Sequence, residues 1–353
     1  MFLLDKGEQK ANTKSVLFDD SPPPGLIQIK KAGIGKLAAD SEVLESKRQV
    51  QYFEIDNRSL LNKTRPGLPF AWSLNPYRGC EFACRYCYAR YTHEFMELRN
   101  SEDFENRIYA KGNIAPILRR ELGQRQLTRL NSNNGIALGT GTDPYQPAER
   151  RFGRTRAALE VFAASSGLSI SITTKSDLIK RDIPLLQAIA RHNEISVNIT
   201  ITTLDESLAR ELEPRAPSPR LRLATVRALS DAGLQVGVFP NPIMPLITDQ
   251  EEKLDRLAKA AKDHGAQYFG GGVLFLMPSA RRVFFPFVEK HYPHLLRRYQ
   301  IHYEASAYLN AAYKDTIRQR LHRIRDRYGL ASGPATRKPE SRQIGLFSEA
   351  LAC

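Results

Sequence analysis

The sequence predicts an α/β fold wound from repeated βα units. Two observations carry the prediction. Short apolar runs rich in β-branched residues alternate with longer segments whose apolar residues recur at three and four, and polar, glycine-bearing clusters follow one strand after another. Strand–helix–strand repeated about six times requires parallel pairing with right-handed crossovers. An open or closed (β/α) barrel satisfies that pattern, and a doubly wound sheet satisfies it almost as well.

The elements follow in order. Residues 1 to about 70 read as an irregular extension containing Ser21-Pro22-Pro23-Pro24-Gly25, mixed charge and little periodicity. From Trp72 the repeat begins. The predicted strands are Gly135–Leu138, Leu168–Thr174, Ile195–Thr202, Gln235–Phe239 and Gln267–Phe275. Residues 168–174 and 197–202 alternate apolar and polar side chains, as half-buried strands do. The predicted helices are Thr155–Ser166, Arg181–His192, Leu221–Ala232 and Gln250–His264. In the last of these, Leu254, Leu257, Ala258 and Ala261 form a plain apolar stripe. Gly233 and Gly265 mark helix stops.

The 353 residues are 42% hydrophobic and 25% charged, which excludes a mostly disordered chain and a disulfide-dense secreted scaffold. No apolar run approaches the roughly 18 residues of a membrane span, and the N-terminus lacks a secretory apolar segment, so the expected compartment is cytoplasmic. Lys and Arg number 52 against 38 Asp and Glu, a formal charge of +14. That balance fits a polyanionic partner, nucleic acid first, and also fits a basic protein with no such role.

Both parallel architectures place function at the C-terminal ends of the strands. Polar clusters occur there: residues 139–149 with Thr140, Thr142 and Asp143, then Thr174-Lys175-Ser176, Thr202-Thr203-Leu204-Asp205 and Pro240-Asn241-Pro242. Each alone reads more readily as a turn or helix cap; four together read as a site. Residues 279–330 read as a helical, basic region. Arg281, Arg282, Arg297, Arg298, Arg320 and Arg323 are interleaved there with Phe284, Phe287, Tyr299, Tyr303 and Tyr308. That mixture suits single-stranded nucleic acid, and suits equally a helical cap with aromatic core and solvated arginines.

The strongest signal is the run Asn75 to Tyr88, in which Cys80, Cys84 and Cys87 have the spacing C-x3-C-x2-C. Three thiolates so close on one loop can hold three irons of a 4Fe-4S cluster and leave the fourth open. A structural zinc site is the rival; it wants a fourth ligand, for which His93 is at hand.

This pattern, with an aromatic residue beside the last cysteine at the start of a βα repeat, resembles the radical S-adenosylmethionine (radical SAM) superfamily. Asn75-Pro76-Tyr77-Arg78-Gly79-Cys80, Thr142-Asp143-Pro144-Tyr145-Gln146-Pro147, Thr173-Thr174-Lys175-Ser176 and Glu213-Pro214-Arg215 are similar to the bacterial branch related to spore photoproduct lyase. The likeness covers roughly residues 55–278. It implies a partial (β/α)6 barrel over 71–278, preceded by the irregular extension and followed by the helical basic region. It implies S-adenosyl-L-methionine bound to the open iron, reductive cleavage to a 5′-deoxyadenosyl radical, and hydrogen abstraction from a substrate. It also implies an electron donor such as flavodoxin or ferredoxin.

By position, the resemblance makes Cys80, Cys84 and Cys87 the cluster ligands and sets Tyr88 against adenine. Thr140, Thr142 and Asp143 fall where relatives bind the methionine amino group; Lys175 and Ser176 fall near its carboxylate; Thr203 falls near carboxylate or ribose, and Asn241 near adenine. Spore photoproduct lyases carry a hydrogen-returning cysteine before the Thr-Asp pair after the second strand. Here residues 138–143 contain none, which argues against thymine-dimer repair by that route and leaves Tyr86, Tyr88 or Tyr145 as candidates to pass hydrogen.

Residues 331–353 read as a disordered tail. Within it Gln343-Ile344-Gly345-Leu346-Phe347 is similar to the peptide by which bacterial DNA-processing proteins dock on the sliding clamp.

Overall fold

The computed structural model describes residues 33–41, 43–47, 49–98, 100–124 and 135–335. Cys353 and the Gln343–Phe347 motif lie outside them.

A helix, α1 (Gly33–Asp40), precedes the strands β1 (Val43–Lys47), β2 (Val50–Ile55) and β3 (Leu61–Lys63). The stretch before residue 70 is therefore not irregular throughout. β4 (Trp72–Leu74) and β5 (Tyr77–Arg78) lead into the cysteine loop, followed by α2 (Tyr91–Glu94), α3 (Asp103–Asn106), β6 (Arg107–Lys111) and α4 (Ile114–Gln124). The repeat then runs β7 (Ile136–Leu138), α5 (Glu149–Phe152), α6 (Arg154–Ala163), β8 (Ser169–Thr174), α7 (Ile183–Ala190), β9 (Glu194–Thr200), α8 (Glu206–Leu212), α9 (Pro219–Asp231), β10 (Gln235–Phe239), α10 (Glu251–Asp263) and β11 (Tyr268–Phe269). Three helices close the chain: α11 (Pro278–His291), α12 (Pro293–Tyr303) and α13 (Ala311–Tyr328).

The large sheet has the order β11-β10-β9-β8-β7-β4-β3. All neighbours are parallel except the β3–β4 pair at one edge. From β4 to β11 the six parallel strands follow chain order without a reversal, which removes the doubly wound alternative and gives the winding of a partial (β/α)6 barrel. The core lies between sheet and helices. Leu138, Ile172, Ile199, Val236 and Val238 are fully buried from the strands, and the predicted stripe Leu254, Leu257, Ala258 and Ala261 is buried from α10. Side-chain caps fix the helix starts: Asp205 accepts from the amides of Ser207 and Leu208, and Ser218 from Leu221 with Pro219 at the first turn.

A second, four-stranded sheet has the order β1-β2-β6-β5. β2 pairs with β6 in parallel, and β6 holds β5 antiparallel, so the strand that ends at Arg78 is anchored just before Gly79 and Cys80. This small sheet aims the cysteine loop.

The predicted strand Gln267–Phe275 is shorter than expected. The chain leaves the sheet after Phe269, where Gly270, Gly271 and Gly272 follow, and rejoins only as an isolated bridge between Ile243 and Val273. In the C-terminal helices much of the aromatic and arginine content is structural. Phe284, Phe287, Tyr299 and Tyr303 are buried. Arg323 pairs with Glu251 at 2.8 Å, Arg320 with Glu251 at 3.5 Å, and Arg327 with Asp255, tying α13 to α10. Among the described residues no helix is long and apolar enough to cross a membrane.

Candidate active site

One pocket of about 420 Å³ opens at the C-terminal ends of the parallel strands. Cys80, Cys84 and Cys87 line it together with Tyr88. Thr140, Thr142, Asp143, Lys175 and Asn241 line it from the ends of three further strands. Thus nine of the residues singled out in the sequence meet in one cavity, although they span positions 80 to 241.

The cysteine loop is held from both sides. Cys80 N donates to Phe104 O at 2.9 Å, Arg85 N to Leu212 O at 2.9 Å, and Arg90 to Cys84 O at 3.2 Å. Arg90 is itself buried against Glu105 at 2.6 Å. Gly79 has φ of 79°, and a Cβ there would stand 2.8 Å from the carbonyl oxygens of Arg107 and Phe104. Only glycine enters the loop along this path. Gly79→Ala is expected to cost about 1–3 kcal/mol from backbone conformation alone, with the two carbonyl contacts added. The measurable result is a chain that folds but retains far less iron after anaerobic reconstitution and desalting.

Thr142 and Gln146 brace the same loop. Thr142 Oγ1 donates to Gly79 O at 2.6 Å, Gln146 Nε2 to Gly79 O at 3.0 Å, and Glu81 N donates to Gln146 Oε1 at 3.0 Å. Asn75 fixes the facing turn, accepting from Gly141 N at 2.7 Å and donating to Thr140 Oγ1 at 3.1 Å. Tyr88 hydroxyl donates to Thr140 O across the pocket. Asp143 stitches β7 to β8, accepting from Thr174 Oγ1 at 2.6 Å, Lys175 N at 2.8 Å and Tyr145 N at 2.9 Å. Asn241 Oδ1 accepts from Gly272 N at 2.7 Å.

Behind the pocket lies a buried ionic network. Arg222 meets Glu213 at 2.5 Å, both side chains being 1% exposed. Glu213 accepts from Tyr86 hydroxyl and from Thr202 Oγ1 at 2.8 Å. Tyr86 stands between Cys84 and Cys87, and Lys175 Nζ lies 5.7 Å from its ring centroid. Burial raises the Glu213 carboxyl, but Arg222 and Lys175 outweigh it and hold the group below the usual range. Burial pulls Lys175 down, and the negative charges around it, Cys84 once it is a thiolate and Glu213 at neutral pH, offset it, so the ammonium is held charged at the pocket wall. All three thiols are pushed up by burial, Cys84 to about 12. They are therefore neutral until a metal displaces the proton.

Three predicted residues are not in this cavity. Ser176 accepts from Leu178 N at 3.2 Å and caps the 3-10 turn that precedes α7. Thr203 Oγ1 accepts from Asp205 N at 3.1 Å, within its own turn. Tyr145 is fully buried and lines, with Ser176, a separate cavity of about 770 Å³. His93 does not line the pocket either: its ring packs between Phe104 and Tyr109, with Nε2 3.1 Å from Arg107 O. Thr200, Phe239 and Phe275 do line the pocket and were missed. Thr200 lies in an alternating strand, and the two phenylalanines stand at the ends of predicted strands.

The donor set tests the fit for an iron–sulfur group. Three cysteines on one loop share a pocket with an ammonium and room for a small organic molecule. The residues present fit that group.

Residues 74–260 match the family model of the Radical SAM superfamily. An uncharacterized protein of Mycobacterium tuberculosis is 36% identical over 297 residues, covering 83% of this chain and 85% of its own. One from Methanocaldococcus jannaschii is 27% identical over 246 residues, covering 69% and 85%. Among solved structures, spore photoproduct lyase complexed with dinucleoside spore photoproduct superposes with a TM-score of 0.59 at 18% identity, covering 78% of this chain and 79% of that one. The same enzyme with bound AdoMet gives 0.56 at 15%, with the same coverage. At that identity the likeness is one of fold.

Proposed function

This chain belongs to the Radical SAM superfamily, and from that premise we propose that Cys80, Cys84 and Cys87 hold a 4Fe-4S cluster in the pocket, with S-adenosylmethionine beside it. The observation that carries the reading is the convergence of three thiols with Lys175 and the Thr140–Asp143 turn on one cavity at the strand ends. When bound, the cluster and S-adenosylmethionine supply a 5′-deoxyadenosyl radical by reductive cleavage, which takes a hydrogen atom from substrate. An electron donor such as flavodoxin or ferredoxin belongs to this reading.

The chain's own residues do the positioning. Lys175 presents a charged ammonium to a carboxylate in the pocket, held there by Glu213 and, once metal has displaced the proton, by the Cys84 thiolate. The aromatic face of Tyr88, 5.8 Å from the ring of Phe275, supports a planar base. Asn241 spends its oxygen on Gly272 N, which leaves its amide to donate. Asp143 and Thr142 act through the backbone: one fixes the ends of β7 and β8, and the other fixes the cysteine loop. Ser176 and Thr203 act as caps in this reading rather than as ligands, and Tyr145, in its separate cavity, is not a hydrogen donor to the pocket. Tyr86 and Tyr88, which line it, are the tyrosines within reach of a substrate radical. The substrate we propose is nucleic acid, on the charge of +14 and the fold shared with spore photoproduct lyase.

Metal content and the response to S-adenosylmethionine test the reading. Anaerobically prepared protein should carry iron and sulfide, and the EPR signal of the reduced cluster should change on adding S-adenosylmethionine. Zinc alone, or a cluster whose spectrum ignores S-adenosylmethionine, would refute it.

A further inference from the structure

An aromatic row leaves the rim of the pocket. Phe275, a lining residue, has its ring 5.8 Å from that of Tyr88 and 4.5 Å from that of Tyr308, the second pair stacked at 30°. Lys314 Nζ stands 5.6 Å from the Tyr308 centroid. Tyr88 is 40% exposed and Tyr308 59%. Large aromatic faces this open are a cost in solvent unless something covers them.

The row is braced rather than loose. Leu276 N donates to Ala307 O at 2.9 Å, and Tyr303 hydroxyl to Leu274 O at 2.8 Å. Arg281 bridges Leu276 O and Ser306 O at 3.2 and 3.0 Å. Ser306 Oγ accepts from Tyr308 N at 3.0 Å. The segments carrying Phe275 and Tyr308 are thus locked together, with Tyr308 open and Phe275 half-buried against it.

Positive charge continues the line. Arg281 and Arg297 face a groove of about 300 Å³ with Phe285 and Ile301, and they outnumber its one carboxylate, Glu304. Arg297 and Arg298 have no ion-pair partner among the described residues, unlike Arg320, Arg323 and Arg327 of α13. Stacking faces followed by guanidinium groups that have no carboxylate ion-pair partner match a chain of planar bases on a phosphate backbone.

We propose that Phe275 and Tyr308, with Lys314 and the Arg281–Arg297 groove, form a track for single-stranded nucleic acid that delivers one nucleotide to the pocket. This deepens the proposed function and rests on it for the role of the pocket. Bases stack on the open part of Tyr308 at the end of the row, with Phe275 backing it, and the cations take the phosphates. Recognition is by ring face and backbone, so the track is tolerant of sequence.

The test is fluorescence anisotropy on the full-length, anaerobically reconstituted protein, with a labelled short single strand offered as DNA, as RNA and as an abasic strand of equal length. The base-bearing strand should bind about 10- to 100-fold more tightly than the abasic one. Tyr308→Ala should remove that difference, Tyr308→Phe should keep it, and Lys314→Gln should lower the salt slope by about one. Preference between the DNA and RNA arms identifies the source of the strand.

Equal binding of base-bearing and abasic strands would overturn the proposal. So would full affinity in Tyr308→Ala, or no binding of any strand. 5′-Deoxyadenosine formation without nucleic acid is measured separately. If it is present while Tyr308→Ala binds normally, the track fails and the radical reading stands. If it is absent and the reduced EPR signal ignores S-adenosylmethionine while strand binding follows the rings, the radical reading fails and the track stands.

Discussion

Replacing Arg222 by leucine is expected to destabilise the protein by about 3–5 kcal/mol, because it leaves the Glu213 carboxylate buried without its partner. Glu213 and Arg222 are each 1% exposed and lie 2.5 Å apart, so no water can take over the role of the guanidinium. The loss should appear as a lower urea midpoint by circular dichroism. Adding Glu213→Gln to the variant should recover much of it, since an amide needs no counter-charge. The two proteins should also differ in pH response. In the unaltered chain Glu213 is held below the usual carboxylate range, because Arg222 and Lys175 overcome burial. Its contribution is present above the unfolded value of about 4.3 and is lost as pH falls through the lower folded value. In Arg222→Leu the main opposing charge is gone, burial prevails, and the folded value rises above the unfolded one. The penalty is then largest at neutral pH and shrinks on acidification. A deficit that stays constant between pH 7 and pH 4.5 would show that the charge on Glu213 is not its source.

The second expectation is local and more complete. Cys84→Ala should reduce bound iron and sulfide to the level of a chain lacking all three cysteines, while secondary structure by circular dichroism stays intact. Cys84 is buried and lines the pocket with Cys80 and Cys87, and three thiolates are the whole cysteine complement of the described residues. Burial pushes the Cys84 thiol up to about 12, so uptake must release protons. Raising the pH should therefore favour reconstitution of the unaltered chain. Iron bound equally by Cys84→Ala would place the metal elsewhere.

Much of the barrel was legible because strands with alternating burial such as β8, and amphipathic helices, leave strong periodic signals. β10 was read at Gln235–Phe239, as observed, and α10 within one residue at each end. The small sheet was not legible. β2 gains its meaning from β6, more than fifty positions on, and its mixed sequence VQYFEI gives a broken period. The cysteine triad announced itself by spacing alone. The hydroxyl-bearing candidates did not sort so well, since a threonine or serine at a strand end can face the cavity or turn back on its own backbone. Thr200 does the first; Ser176 and Thr203 do the second. Tyr145 reads from the sequence as a candidate to pass hydrogen in place of the missing cysteine, yet the turn carries its ring into a separate cavity. Arg222 carried no signal at all: on α9 it reads as one more surface arginine until Glu213 is placed beside it. The C-terminal aromatics divide in the same way. Tyr299 and Tyr303 donate to backbone carbonyls inside the core, and Tyr308 stays open beside Phe275.

Radical cleavage of S-adenosylmethionine at the Cys80–Cys84–Cys87 loop is most directly tested by its product. The protein, reconstituted with iron and sulfide without oxygen and then reduced, is given S-adenosylmethionine, and 5′-deoxyadenosine is sought by mass spectrometry beside the triple cysteine-to-alanine variant. The account predicts 5′-deoxyadenosine from the intact chain only. An iron–sulfur-loaded chain that forms none and whose reduced EPR signal ignores S-adenosylmethionine, or equal product from the variant, would contradict it.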